Sequence, residues 1–415
     1  MHLPPELHDE ILRHLGRGDV ASYRLVCRKF ATTGAPSLFS RLHFRTSLPS
    51  LQRLANISKR ACGRYVKHLL WNTTGSEFEA KAFLEGLRMR ELKYILGETV
   101  SCPSLNTAQK EKEGDEGPRV ELSQSLGVFV LQAIFAGFPN LKELYVVTNG
   151  TQPNAFADDG WAQRAAQQRV PDAWPKPWKA THGCPRCHGL CQAIQSNARY
   201  EMQAALLAAH SAGRPLTHLR IDVLSFWSVP REAEVVGFER AFAHVTNLQL
   251  VLQMPSRALA QVQAMFRTAT QLRSLKLWLH SSSWWDGVDH AYSVLRLQDI
   301  VPSPSSFPYL RELEIHQMDV SEPFMVDFLR AHAQMMRVLK MHRMRLDPKG
   351  SWPALFQSIG GKMQLDVVWL HGHFEEGISE NGWDMDAPHG RRLERHLLGR
   401  EVDCPIDEEN RWCRW

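Results

Sequence analysis

The chain has 415 residues, 44% hydrophobic and 22% charged, with a formal net charge of +5. That is enough apolar material for a sizeable core, and no apolar run approaches the roughly 18 residues of a membrane-spanning helix, so a helical membrane protein is excluded. Eight cysteines, mostly scattered, do not make a disulfide framework and read as reduced thiols. Met1 is followed by no basic n-region and apolar h-region, so no secretory signal is expected and the protein is placed in the cytoplasm or nucleus.

The first elements are short helices. Leu3-Pro4-Pro5-Glu6-Leu7 opens one, and Pro4 and Pro5 suit its first turn, where a missing N–H costs nothing. Leu7, Ile11 and Leu15 recur at a spacing of four, which stacks them on one face. Gly16 stops that helix. Asp19 is expected to cap the next, whose apolar members are Val20, Tyr23, Leu25 and Val26. The run Arg24-Leu25-Val26-Cys27-Arg28-Lys29-Phe30 follows. A trihelical unit this small buries too little surface to be comfortable alone, so an apolar face left over on it awaits a partner.

This stretch resembles the F-box, the adaptor-binding module of substrate-recognition subunits of cullin–RING ubiquitin ligases. The resemblance spans residues 1–45 and rests on the Leu3-Pro4 start, Glu6-Leu7, Ile11, Leu15, Asp19-Val20 and the Leu25-Val26-Cys27-Arg28 run ending in Phe30. It implies that Leu3, Pro4, Leu7, Ile11, Leu15, Leu25, Val26, Cys27 and Phe30 dock on the adaptor subunit of an SCF-type ligase, and through it on a cullin. The bland alternative is a helical cap whose leucines face its own core. Between Val20 and Ser76 there is no Asp or Glu, against ten Lys and Arg: Arg24, Arg28, Lys29, Arg41, Arg45, Arg53, Lys59, Arg60, Arg64 and Lys67. A field of one sign attracts an opposite partner. Nucleic acid is disfavoured, because interleaved aromatics and a recognition-helix pattern are both missing. An acidic protein surface fits better, and the resemblance implies an acidic adaptor.

The remainder repeats a Leu-x-x-Leu-x-apolar pattern. Its instances are Leu141–Val146, Leu216–Ile221, Leu272–Leu277, Leu310–Ile315, Met336–Met341 and Leu365–Leu370, with a compressed version at Leu248–Leu252 and a first one at Tyr65–Leu70. Each reads as a strand with alternating inward residues. Helical stretches lie between them, at Leu126–Phe138, Glu201–Ala212, Phe238–Val245, Arg257–Thr268, Ala291–Ile300, Pro323–Ala333 and Trp352–Ile359. Taking Leu219, Leu250, Leu275, Leu313, Leu339 and Val368 as anchors gives spacings of 31, 25, 38, 26 and 29 residues. Leucine-rich repeats run at about 20–29. The fold class expected is therefore α/β: an N-terminal trihelical F-box on 1–45, then an irregular leucine-rich-repeat-like βα solenoid with a parallel sheet on 46–372. A doubly wound α/β domain of similar units is the alternative.

In such a solenoid the strand residues between anchors face the concave side, where partners bind. One position after the anchor this selects Tyr145, Arg220, Lys276, Glu314, Lys340 and Trp369; three positions after it, Asp222, Trp278, His316, His342 and His371. A row of aromatic, Arg and His side chains resembles a protein-binding surface. For any single member, an ordinary solvated position is the simpler reading.

Two segments interrupt the repeat: a polar loop at 101–121, and an insertion at 149–197 that stretches the gap from Leu144 to Leu219 to 75 residues. Within the insertion, His182, Cys184, Cys187, His188 and Cys191 have a spacing that could saturate a structural zinc ion. All ligands would come from one short loop, so reduced thiols remain an alternative, as does a redox dithiol. After His373 the chain turns acidic, and residues 373–415, with a helix at Gly390–Leu398, are expected to cap the solenoid or form a tail.

No phosphate-cradling loop, nucleophile elbow, metalloprotease helix or kinase signature is present, so no enzyme and no obligatory cofactor is expected. The function read from the sequence is a substrate-recognition subunit of an SCF-type cullin–RING ligase, with an unknown protein substrate, no nucleic acid and no membrane among its partners. The alternative is an adaptor-binding scaffold acting outside a ligase.

Overall fold

The computed structural model describes residues 4–15, 17–73, 83–84, 87, 89–97, 126–148, 199–225, 242–253, 259–279, 296–377, 381–401, 403–406 and 412–413. They fall into two compact units, Met1–Leu216 and Thr217–Trp415. No helix among the described residues is long and apolar enough to cross a membrane.

The first unit opens with α1 (Pro5–His14), α2 (Arg17–Leu25) and α3 (Arg28–Phe39). Pro5 occupies the first turn of α1 as its missing N–H allows. Asp19 lies inside the first turn of α2 rather than capping it, since that helix begins at Arg17; there its charge suits the positive helix end. Three strands follow: β1 (Arg41–Arg45), β2 (His68–Thr73) and β3 (Glu143–Thr148). They pair in parallel in that order, so Leu42, Leu69 and Leu144 lie side by side. Parallel neighbours require crossovers. These are built from α4 (Leu48–Ser58) and a 3₁₀ turn (Ala61–Tyr65), then α5 (Met89–Leu96) and α6 (Leu126–Ala136); α7 (Arg199–Ser211) packs on α6.

The core of this unit is Leu42, Phe44, Leu69, Trp71, Leu144 and Val146 from the strands against Leu51, Leu54, Ile134 and Phe135 from the helices. The Trp71 indole N–H donates to Thr46 Oγ1 at 2.9 Å, which meets the need of a fully buried tryptophan for a polar partner. Two backbone groups of β1 are held from α4: Ser50 Oγ accepts from the Arg45 amide, and Arg53 donates to the His43 carbonyl at 3.0 Å.

In the second unit six strands pair in parallel: β4 (His218–Ser225), β5 (Asn247–Gln253), β6 (Ser274–Leu279), β7 (Glu312–His316), β9 (Val338–His342) and β11 (Val367–His371). The described residues thus hold nine strands of this parallel kind, three in the first unit and six in the second. Helices α8 (Leu259–Thr268), α9 (Leu297–Ile300), α10 (Glu322–Ala331) and α11 (Trp352–Ile359) lie between them. In α11 the buried residues are Trp352, Leu355, Phe356 and Ile359, an i, i+3, i+4, i+7 stripe that faces the core. Ser321 and Ser351 cap α10 and α11 by accepting from Phe324 N and Ala354 N.

The register corrects one anchor. Leu219, Leu248 and Leu275 are aligned, so the β5 anchor is Leu248, not Leu250. The two spacings become 29 and 27 residues, more even than the sequence reading gave. Leu248, Leu250 and Leu252 are all buried, and strict alternation cannot say which of three equivalent inward residues is the anchor.

Strands β7, β9 and β11 end in the same corner. Gln317, Arg343 and Gly372, each following a histidine, adopt φ of 52°, 50° and 73°. The left-handed conformation costs a non-glycine residue roughly 1–2 kcal/mol, so its recurrence marks a designed bend. The bends also stack: Gln317 N donates to His342 O at 2.8 Å and Arg343 N to His371 O at 3.0 Å. Beyond each corner the chain enters a second, smaller sheet. In it β8 (Asp319–Val320), β10 (Arg345–Leu346) and β12 (His373–Glu376) pair in parallel, and β13 (Asn381–Asp384) and β14 (Trp412–Cys413) add antiparallel. The register partners Asp319 and Arg345 form a bidentate ion pair.

At the far side of β11 no further strand pairs among the described residues. Its outward amides find carboxylates instead: Leu370 N donates to Glu394 Oε1 at 2.9 Å and Gly372 N to Asp386 Oδ1 at 3.2 Å. Glu394 belongs to α12 (Pro388–Leu397), which packs on β11.

Candidate functional site

Two surfaces carry the residues singled out by the sequence, one in each unit. The first is on α1 to α3. These helices have a small core of their own: Leu12, Val20 and Ala35 are buried, and His8 is closed in by Tyr23 and Phe30. The Tyr23 and Phe30 rings stack at 4.4 Å, His8 meets Phe30 edge-on at 4.9 Å, and His8 Nδ1 contacts the Tyr23 hydroxyl. Arg24 is tied back, donating from Nε to Ala31 O at 2.9 Å with its guanidinium 5.1 Å above the Phe39 ring.

That core leaves specific residues outside it. Leu7 is 50% exposed, Ile11 38%, Leu25 87% and Val26 67%. The helical spacing explains the pair on α1, since His8 and Leu12 point inward and Leu7 and Ile11 sit one position off that stripe. Leu25 and Val26 project because the chain breaks there: α2 ends at Leu25, and Cys27 is extended (φ −162°) before α3 starts. Pro4 and Cys27 are also exposed, and Leu15 is half-buried. Phe30 departs from the expectation. It spends its ring on Tyr23 and His8, so it is a member of the small core more than of the outer face. Leu3 lies outside the described residues.

Four large aliphatic side chains are therefore left exposed to water on these helices. Residues 1–33 match the F-box domain family. The F-box is an adaptor-binding module, and the apolar face just described lies within the matched stretch. No curated protein matches the chain. The six strands of the second unit fit a repeat architecture, but no leucine-rich-repeat family is matched.

The second surface is the outer face of β6, β7, β9 and β11. The register places Lys276, Glu314, Lys340 and Trp369 in one row and Trp278, His316, His342 and His371 in the next. The first row is an alternating ion-pair chain: Lys276 Nζ lies 3.2 Å from Glu312 and 3.1 Å from Glu314, and Lys340 Nζ 3.5 Å from Glu314. Burial works to raise the Glu314 carboxyl, but bonds from His316 and Lys276 outweigh it and hold the group down at about 2. Burial likewise works to lower Lys276, and Glu314 and Glu312 reverse that and raise it.

The second row is a stack of rings. Trp278 lies parallel on His316 at 4.9 Å, His342 on His371 at 4.9 Å, and Trp369 on His371 at 5.1 Å. His316 Nε2 meets Glu314 at 2.9 Å, His316 Nδ1 faces His342 Nδ1 at 3.3 Å, and His371 contacts Asp386. Burial, reinforced by His316, His371 and Arg343, pushes His342 down to about 4, so it is neutral at physiological pH. Trp278 is anchored by its N–H, which donates to Gln317 Oε1 at 2.9 Å. Trp369 stays 40% exposed at the end of the stack. With the lysines matched by acids, the face is aromatic and nearly neutral.

The other members of the two rows do not join this cluster. Tyr145, in β3, is buried, and Arg220, in β4, is half-buried. Asp222 lies in β4, its side chain outside the described residues, and β5 contributes Gln249 to the row of Lys276. Glu312, Gln317 and Asp386 organise the site but were not foreseen. The visible signal for Gln317 was the repeated histidine before each corner. The candidate zinc ligands His182, Cys184, Cys187, His188 and Cys191 all lie outside the described residues, as do 101–121 and 149–197. Among the described residues no three His, Cys, Asp or Glu side chains converge as metal ligands.

Proposed function

We propose that this chain is a substrate receptor of an SCF-type cullin–RING ubiquitin ligase. The observation that carries the reading is the exposure of Leu7, Ile11, Leu25 and Val26 within the stretch that matches the F-box. A soluble surface does not keep such a set uncovered without a use. In this reading those residues dock on the ligase adaptor, the βα units form a leucine-rich-repeat-like array, and its outer strand face binds a client protein. The centre of the client surface is Trp369 with Trp278, His316, His342 and His371, flanked by Lys276 and Lys340; aromatic side chains of this kind dominate binding energies at interfaces. Arg220 and Asp222 belong to the same expected face. No bond in the client is made or broken by this chain. It acts by tethering, which raises the client's effective concentration at the ubiquitin-loaded end of the assembly.

The test is capture of the complex from cells. Wild-type protein should bring down the adaptor together with a cullin, and the double change Leu7→Asp, Ile11→Asp should lose both while the chain keeps its thermal unfolding profile. Adaptor capture that survives the double change refutes the assignment of the face. Adaptor without any cullin refutes the ligase role and leaves a scaffold.

A further inference from the structure

A cleft of about 310 Å³ lies on α4, beyond the stretch that matches the F-box. Phe39 and Pro49 supply apolar walls, exposed Asn56 and half-buried Ile57 line it from α4, and Arg53 and Arg60 line it as well. Both arginines are exposed, and neither has an acidic partner among the described residues. Arg53 makes one bond, to the His43 carbonyl, which leaves most of its donors free. No carboxylate lines the cleft. The charge is not local chance, because this helix sits inside the stretch from Val20 to Ser76 that has no Asp or Glu at all. Gln52, which also lines the cleft, donates to the Tyr94 carbonyl, and the Tyr94 side chain is exposed.

We infer that this cleft receives an acidic segment of a client protein, with carboxylates on Arg53 and Arg60 and an apolar residue between Phe39 and Ile57. Charge complementarity selects an acidic ligand: two guanidiniums with no acidic partner among the described residues present planar donor forks that match carboxylates. The apolar walls select a peptide with hydrophobic residues over a bare polyanion. The cleft contains none of Leu7, Ile11, Leu25 or Val26, so it shares no residue with the face assigned to the adaptor. The word client rests on the receptor reading above; the binding of an acidic peptide does not, and it is measured without the adaptor present.

The probe is a fluorescein-labelled ten-residue peptide of alternating Glu and Leu, titrated with the full-length chain by fluorescence polarisation. It should bind, with an affinity that falls as salt rises, and a Lys–Leu peptide of equal length should not. Arg60→Glu should weaken binding by about tenfold or more, and Arg60→Lys should retain it within about threefold. Asn56→Glu, on the cleft wall, supplies an independent second variant expected to weaken binding similarly. Thermal unfolding of each variant confirms the fold. Unchanged affinity in both Arg60→Glu and Asn56→Glu overturns the proposal. So does a single-stranded RNA of ten nucleotides that binds more tightly than the peptide and depends on Arg60, which would make the cleft a nucleic-acid site. Loss of adaptor capture in Arg60→Glu would assign the cleft to the adaptor interface and overturn the client assignment, while leaving the receptor reading intact.

Discussion

Replacing Leu25 with Asp separates the role of the α2–α3 corner from its contribution to folding. Leu25 is 87% exposed, so folding gains almost nothing from it, and a polar residue there should move stability by no more than about 0.5 kcal/mol. Covered by a partner, a leucine that exposed yields about 2 kcal/mol. Aspartate forfeits that and adds the cost of covering a carboxylate with no partner, at least another 1 kcal/mol or so. The loss is about 3 kcal/mol, roughly a hundredfold in Kd. The assay is calorimetric titration of the purified ligase adaptor with wild-type and L25D protein, with a thermal melt beside each. Leu12→Ala is the mirror control: Leu12 is buried, so that change should cost stability, about 2–4 kcal/mol, before it costs affinity. If L25D binds within twofold of wild type, the corner is no part of the adaptor contact; if it melts as early as L12A, the corner contributes to this chain's own fold.

Three further outcomes follow from the second unit. His342 titrates at about 4 in the fold against an ordinary value near 6.5, so the unfolded chain takes up a proton that the folded chain refuses between those values. Stability should therefore fall as pH drops from about 6.5 to 4. His342→Gln should flatten that limb by about 1–2 kcal/mol, a figure discounted for the group's partial exposure, as followed by urea midpoints across pH. Below about 4.5, protonation of Glu314 adds a second loss in both proteins. Gly372→Ala should destabilise by about 1–3 kcal/mol in the same measurement, because φ is +73° and the new Cβ would meet Arg343 Cγ at 2.8 Å. Trp369→Ala should leave the melting temperature within about 2 °C yet cut recovery of clients in proximity labelling; unchanged client recovery would remove Trp369 from the binding face.

The sequence carried the strands well, because each keeps two inward residues at a spacing of two, and burial at Leu313 and Ile315 or Leu339 and Met341 follows that alternation. It missed β1, since Arg41-Leu42-His43-Phe44-Arg45 has only two apolar residues and follows directly on a helix. It also missed the second sheet, because Asp319-Val320 and Arg345-Leu346 are too short to show any period. At the amino terminus, helical spacing found Leu7 and Ile11, but the assignment of Phe30 required knowing that α3 folds back to set this ring on Tyr23. Which members of the two rows would cluster was equally hidden. Residue identity nominated Tyr145 and Trp369 alike, yet the first is buried and the second exposed.

Asp386 and Glu394 give the parallel sheet of the second unit a stop signal made of oxygen atoms. Any strand laid beside β11 would have to displace them, and a chain cut short before Asp386 would present a sticky border to its own copies. Loss of the last thirty residues would thus show as concentration-dependent polymerisation more than as melting.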